Sequence, residues 1–115
     1  MASVRRYELF VPMEYNADAD GHREPIEPEK YIEIETALFQ AFGGLTKSNP
    51  NTPFHGYWVS PESGLMNDRI VIYTMLDFSW DFFDGEQVMR DLKARLIVTL
   101  EQEEILLLYS NLSTI

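Results

Sequence analysis

Residues Asn16 to Glu27, NADADGHREPIE, set oxygen side chains at Asn16, Asp18 and Asp20, a glycine at the sixth place and Glu27 at the twelfth. That is the spacing of a calcium loop, in which a sharp turn at the glycine gathers alternate oxygens around a hard cation. Asn16 stands where such loops open on Asp, Pro25 stiffens the exit, and a strand pattern leads in. The competing reading is a polar turn at Asp20-Gly21. A second group comes from two apolar stretches: Arg6 and Glu8 near the N-terminus, His55 and Tyr57 in TPFHGYWVS. A histidine beside a carboxylate and a phenol can move protons near neutral pH. No spacing ties a nucleophile to a base, and a hydrogen-bonded histidine on a sheet is the plainer reading. No phosphate loop, zinc pattern or serine elbow occurs, and with no cysteine there is neither thiolate chemistry nor a disulfide framework. No cofactor is implied.

The third group is LDFSWDFFD, Leu76 to Asp84, acidic and aromatic together. Trp80 and Phe82 can anchor a protein partner there, or Phe82 and Phe83 can staple the start of a helix while Trp80 roofs the core. Nine basic residues against nineteen acidic ones give a net charge of -10. That field repels phosphates and anionic lipid, so general nucleic-acid binding and membrane-surface binding are not expected. MASVRRYELF runs directly into an alternating pattern without the apolar centre of a signal peptide, and no stretch reaches the length of a membrane span. A cytoplasmic setting is expected.

These residues need a scaffold, and the patterning supplies one. Val4 to Met13 alternates as a strand, with Tyr7, Leu9 and Val11 on one face and Arg6, Glu8 and Phe10 on the other. Pro28 opens a helix with apolar residues at Tyr31, Ile34, Leu38, Ala41 and Phe42, and Gly43-Gly44 closes it. TPFHGYWVS and RIVIYTML form an antiparallel hairpin around PESGLMND. Asp84 caps a second helix, with Gln87 at the reciprocal position and Val88, Leu92, Leu96 and Leu100 as its stripe. EILLLYSNL is a buried strand. With 115 residues and 45% hydrophobic content, the chain is expected to be one globular domain, residues 1–115. The order β, α, β, β, α, β predicts an α+β fold: a ferredoxin-like βαββαβ two-layer sandwich on a four-stranded antiparallel sheet.

Phe42-Gly43-Gly44 with Thr46, Gly56 with Trp58, Pro61-Glu62-Ser63-Gly64, Asp68, and the opening Leu9 to Pro12 resemble a group of small uncharacterised bacterial proteins. Those proteins share an FGGxT helix end, a GxW strand and a PE[ST]G turn. The resemblance spans most of the chain and implies a ferredoxin-like fold; it brings no activity with it.

Both hairpin arms are apolar on both faces, yet two helices in such a fold cover only one. Tyr73, Met75 and Leu107 are therefore expected to line an open, greasy face, more apolar surface than a monomer leaves bare. A homodimer pairing through that face is the leading expectation, with the C-terminal tail, the loop after Met13 or a bound apolar ligand as other covers. Three functions follow: a non-catalytic interaction or regulatory module, a ligand binder or small enzyme using His55, Tyr57, Glu8 and Arg6 (with Gly56 and Trp58 replacing the hairpin pair if the faces are reversed), and a calcium-dependent module through Asn16, Asp18, Asp20 and Glu27.

Overall fold

Alternation in SVRRYELFVP builds strand β1, Ser3–Pro12, with Tyr7, Leu9 and Val11 buried. The computed structural model describes residues 3–81 and 83–115. Helix α1, Pro28–Phe42, starts at a proline, whose fixed φ suits a first turn and whose missing N–H is not needed there. It ends where Gly43 adopts φ 77° and donates its N–H to the Phe39 carbonyl at 2.9 Å. A Cβ would strain that left-handed closure.

Strands β2, Thr46–Lys47, β3, Phe54–Ser60, and β4, Gly64–Asp77, follow, then helix α2, Gly85–Thr99, and strand β5, Leu107–Ser113. The Asp84 carboxylate caps α2 by accepting the Gln87 N–H at 3.1 Å. Met89, Leu92, Leu96 and Leu100 form its buried stripe, so Met89 takes the place expected of Val88.

The fold is α+β, with two helices on a five-stranded antiparallel sheet. The strands run in the order β2, β4, β1, β5, and β3 pairs with the first half of β4. The second expected strand, TPFHGYWVS, forms as β3, and β2 is a short strand ahead of it that the patterning did not announce. Ser48 still brackets Ile72, donating its N–H to the Ile72 carbonyl at 3.0 Å while its hydroxyl accepts the Ile72 N–H at 2.8 Å. The chain then turns at Asn49, and Pro50 and Pro53 have no N–H with which to continue the ladder. Pairing resumes only at Phe54↔Ile70.

Register decides which face is the core. Tyr7↔Met75, Leu9↔Tyr73 and Val11↔Val71 stack on one side of the sheet, and Ile34, Leu38, Met89, Leu92 and Leu96 of the helices close over them. Tyr73 and Met75, at 1% and 0% exposure, are therefore core residues and not part of an open face. Leu107, opposite Leu9, also packs against this core. The face without helices carries the alternate set: Phe10, Ile70, Ile72, Leu76, Leu108 and Leu112.

Candidate functional site

At one end of that second face the β3–β4 hairpin and the segment 102–106, just before β5, enclose a cavity of about 550 Å³. Its floor is Phe10, Ile70 and Ile72; Phe54 and Trp58 rise from β3, and Ile105 and Leu106 form the opposite wall. Phe54, Gly56 and Trp58 pair with Ile70, Asp68 and Met66, so all six point to the side that bears Ile72. Near the hairpin tip Ser60 faces Glu103, with the hydroxyl 3.5 Å from the carboxylate.

One carboxylate organises the rim. Asp68 Oδ2 accepts the Trp58 indole N–H at 2.6 Å, and Asp68 Oδ1 accepts from Arg23 Nη2, also at 2.6 Å. Arg23 in turn donates Nε to the Tyr15 carbonyl at 2.9 Å and Nη1 to the Asn67 carbonyl at 2.7 Å. The guanidinium thus staples the loop after β1 to the hairpin and fixes the indole that forms the cavity wall. Both members of the pair are largely buried, a setting in which removing either partner costs more than a surface pair would. Gly56 leaves the floor open: a Cβ there would meet Ile70 Cδ1 at an unstrained 3.8 Å.

The polar groups expected to act together divide. His55 and Tyr57 do line the cavity, from the other side of β3. Arg6 and Glu8 do not: they lie further along the sheet and pair with each other at 3.6 Å. Gln102 and Glu104 complete the polar rim, with Glu104 held by Lys93 at 3.1 Å and by the Ile105 N–H at 2.9 Å. Lys93 first, then that N–H, holds the Glu104 carboxyl below the usual range.

The loop read as a calcium candidate uses its oxygens otherwise. Asp18 Oδ1 accepts the N–H groups of Asp20 and His22, both at 2.9 Å, and those bonds lower its pKa. Asn16 donates its amide to the Glu101 carbonyl at 3.0 Å, and Glu27 accepts the Tyr15 hydroxyl at 2.5 Å beside Lys30. Asn16, Asp18, Asp20 and Glu27 do not converge, and no three acidic or histidine side chains among the described residues do. The reason is local: the Asx turn at Asp18 satisfies backbone donors that a metal loop would leave free.

Trp80 is also engaged within the chain. Its ring lies 4.8 Å from the Arg5 guanidinium, which also sits 4.4 Å from the Tyr109 ring. Phe83 meets Phe42 edge-on at 6.1 Å, and Phe82 lies outside the described residues.

Arg23 is the functional residue that sequence reasoning missed, since nothing in its neighbours points to a carboxylate 45 positions away. Trp58 and Asp68 were accessible: a hairpin registered on Ser60↔Gly64 puts both on one face.

No family model matches the chain, and no curated protein matches it. Among solved structures, it is similar to a phage SAM lyase in complex with S-methyl-5′-thioadenosine, at a TM-score of 0.64 and 15% identity. The match covers 96% of this chain and 82% of that one. At that identity the likeness is one of fold. Among the described residues no helix is long and apolar enough to cross a membrane.

Proposed function

We propose that the cavity beside Trp58 and Asp68 binds a small ligand that carries an aromatic ring and no net negative charge. The observation behind this reading is an apolar, aromatic-walled hollow of about 550 Å³ with a locked carboxylate at its rim, inside the roughly 300–1,000 Å³ range of small-molecule sites. Phe10, Phe54 and Trp58 offer stacking surfaces, and a chain of charge -10 favours a cation over a phosphate. SAM, a sulfonium cation bearing adenine, has that chemistry, and a lyase of similar fold holds S-methyl-5′-thioadenosine. His55 and Tyr57 touch the hollow only from the opposite face of β3, so proton transfer by them is no part of this proposal.

Calorimetric titration with SAM, S-methyl-5′-thioadenosine and ATP tests it. Heat from the first two and none from ATP is the expected result; silence with all three removes the reading. Release of S-methyl-5′-thioadenosine from SAM would distinguish an enzyme from a binder.

A second reading keeps the interaction module, favoured by Leu76, Leu108 and Leu112, which stay exposed on the face without helices. Counting β2 and β3 as one interrupted strand, the order β2/β3, β4, β1, β5 supports a ferredoxin-like arrangement of the βαββαβ kind, and membership of the FGGxT group belongs to the same proposal.

A further inference from the structure

The two edges of the sheet are defended differently. On one edge β2 carries Lys47, and the detour to β3 contains Pro50 and Pro53. Charges, prolines and interruptions of this kind stop a bare strand from pairing with another chain. On the other edge β5, LLYSNLS, is continuous, free of proline and free of charge, although 24% of the chain is charged. Among the described residues no strand lies beyond it.

Its free backbone groups can be assigned. Leu106 accepts the Phe10 N–H at 3.0 Å, and the Leu9↔Leu107 register makes Phe10 and Leu106 opposite partners. Antiparallel pairs alternate between bonded and non-bonded, so Leu108, Ser110 and Leu112 bond to β1. Tyr109, Asn111 and Ser113 therefore direct their N–H and C=O groups outward.

We infer that β5 pairs antiparallel with β5 of a second copy of this chain, about a two-fold axis through Ser110. That axis sets Tyr109 against the partner's Asn111, where the outward groups of both form bonded pairs. Leu108 falls against the partner's Leu112, and the two small Ser110 side chains meet at the close, non-bonded centre. Leu108 and Leu112, exposed by 45% and 38%, cover each other across the axis, while Tyr109, exposed by 52%, packs beside the partner's Asn111 on the opposite side of the sheet.

Charge permits a like copy at this edge; β3, FHGYWVS, is also free of formal charge and proline but carries Gly56, which weakens a strand, and follows the proline-broken detour. Two chains of -10 repel, but β5 is neutral and the ions flanking it are paired: Arg5 with Glu86 at 3.6 Å, Arg6 with Glu8 at 3.6 Å, and Lys93 with Glu104 at 3.1 Å. Seven paired residues bury less than the roughly 1,200 Å² of a standard interface, so the dimer is weak and concentration-dependent.

The chain has no cysteine, which makes the test direct. Non-bonded partners lie about 4.5 Å apart at Cα, within the reach of a disulfide. Ser110→Cys is expected to oxidise to a covalent dimer, while Thr46→Cys on the defended edge does so far more slowly. Sedimentation velocity on the unmodified chain should show mass rising with concentration. Asn111→Pro, which deletes an outward N–H along with the bond that Asn111 Oδ1 accepts from Arg5 Nε at 2.8 Å, should weaken association about tenfold or more; Leu108→Lys does the same without touching the backbone or that bond, its circular dichroism unchanged. One mass at every concentration overturns the inference. So does equal cross-linking of the two cysteine variants, or a dimer that tolerates Asn111→Pro and Leu108→Lys but dissolves in Leu76→Glu, a change on the face without helices and outside the cavity. Neither arm depends on the ligand cavity.

Discussion

The same two strands have two faces of nearly equal greasiness and opposite fates. Odd-numbered Leu9, Tyr73 and Met75 sit under the helices with no solvent contact worth the name; even-numbered Phe10, Ile70 and Ile72 floor a cavity. Composition does not separate them, because what differs is whether two helices have docked there. A side chain closed in on all sides contributes mainly to stability, and one left facing an open hollow contributes mainly to what can enter it.

Substitutions should separate the two faces. Leu9→Ala, in the centre of the covered face, should cost about 2–5 kcal/mol and give the largest fall in melting temperature, measured by thermal unfolding. A smaller loss, about 1–3 kcal/mol, is expected from Gly85→Ala. The added Cβ would lie 2.7 Å from Asp77 Oδ2, 3.1 Å from Phe42 and 3.2 Å from the Tyr7 hydroxyl, and alanine's helix preference offsets about 1 kcal/mol or less. Denaturant titration decides the sign.

The covered face should also fail first in alkali. Burial, with the Glu14 charge next, pushes the Tyr31 phenol up to about 12, and burial raises Tyr73 too, reinforced by the Glu35 carboxylate that accepts its hydroxyl at 2.7 Å. The folded chain keeps these protons above pH 10.0, where unfolded tyrosine releases them. The stabilisation is therefore complete below that pH and is lost as pH climbs through 12. Tyr73→Phe should flatten the alkaline limb of the stability curve; an unchanged limb would assign it elsewhere.

The smallest effect on stability and the largest on binding belong to the open face. Gly56→Leu fills the floor beside Ile70 where the backbone has room, so its melting temperature should move little while ligand heat disappears. If that variant unfolds instead, the hairpin belongs with the core and the contrast between the faces is lost.

Much of the fold was legible. Pro28 and Gly43 marked the ends of α1, Asp84 marked the start of α2, and alternation marked β1, because each signal is local backbone chemistry. The cavity was half legible: His55 and Tyr57 could be named, but not their separation from Arg6 and Glu8. Choosing Tyr73, Met75 and Leu107 as the open set failed for a specific reason. When both parities of a strand are apolar, hydrophobicity carries no information about which side is covered.

From the order of its residues alone this chain specified where helices begin and stop and which side chains share a face; EILLLYSNL was expected to be buried, and only the sheet order made Leu107–Ser113 an exposed edge. Tertiary structure alone decided which face the helices took, that Arg23 reached Asp68, and that Thr46–Lys47 joined β4 as a strand of its own. The division has one cause: backbone preferences act over a few neighbouring residues, whereas docking and ion pairing join groups whose separation along the chain says nothing about their separation in space.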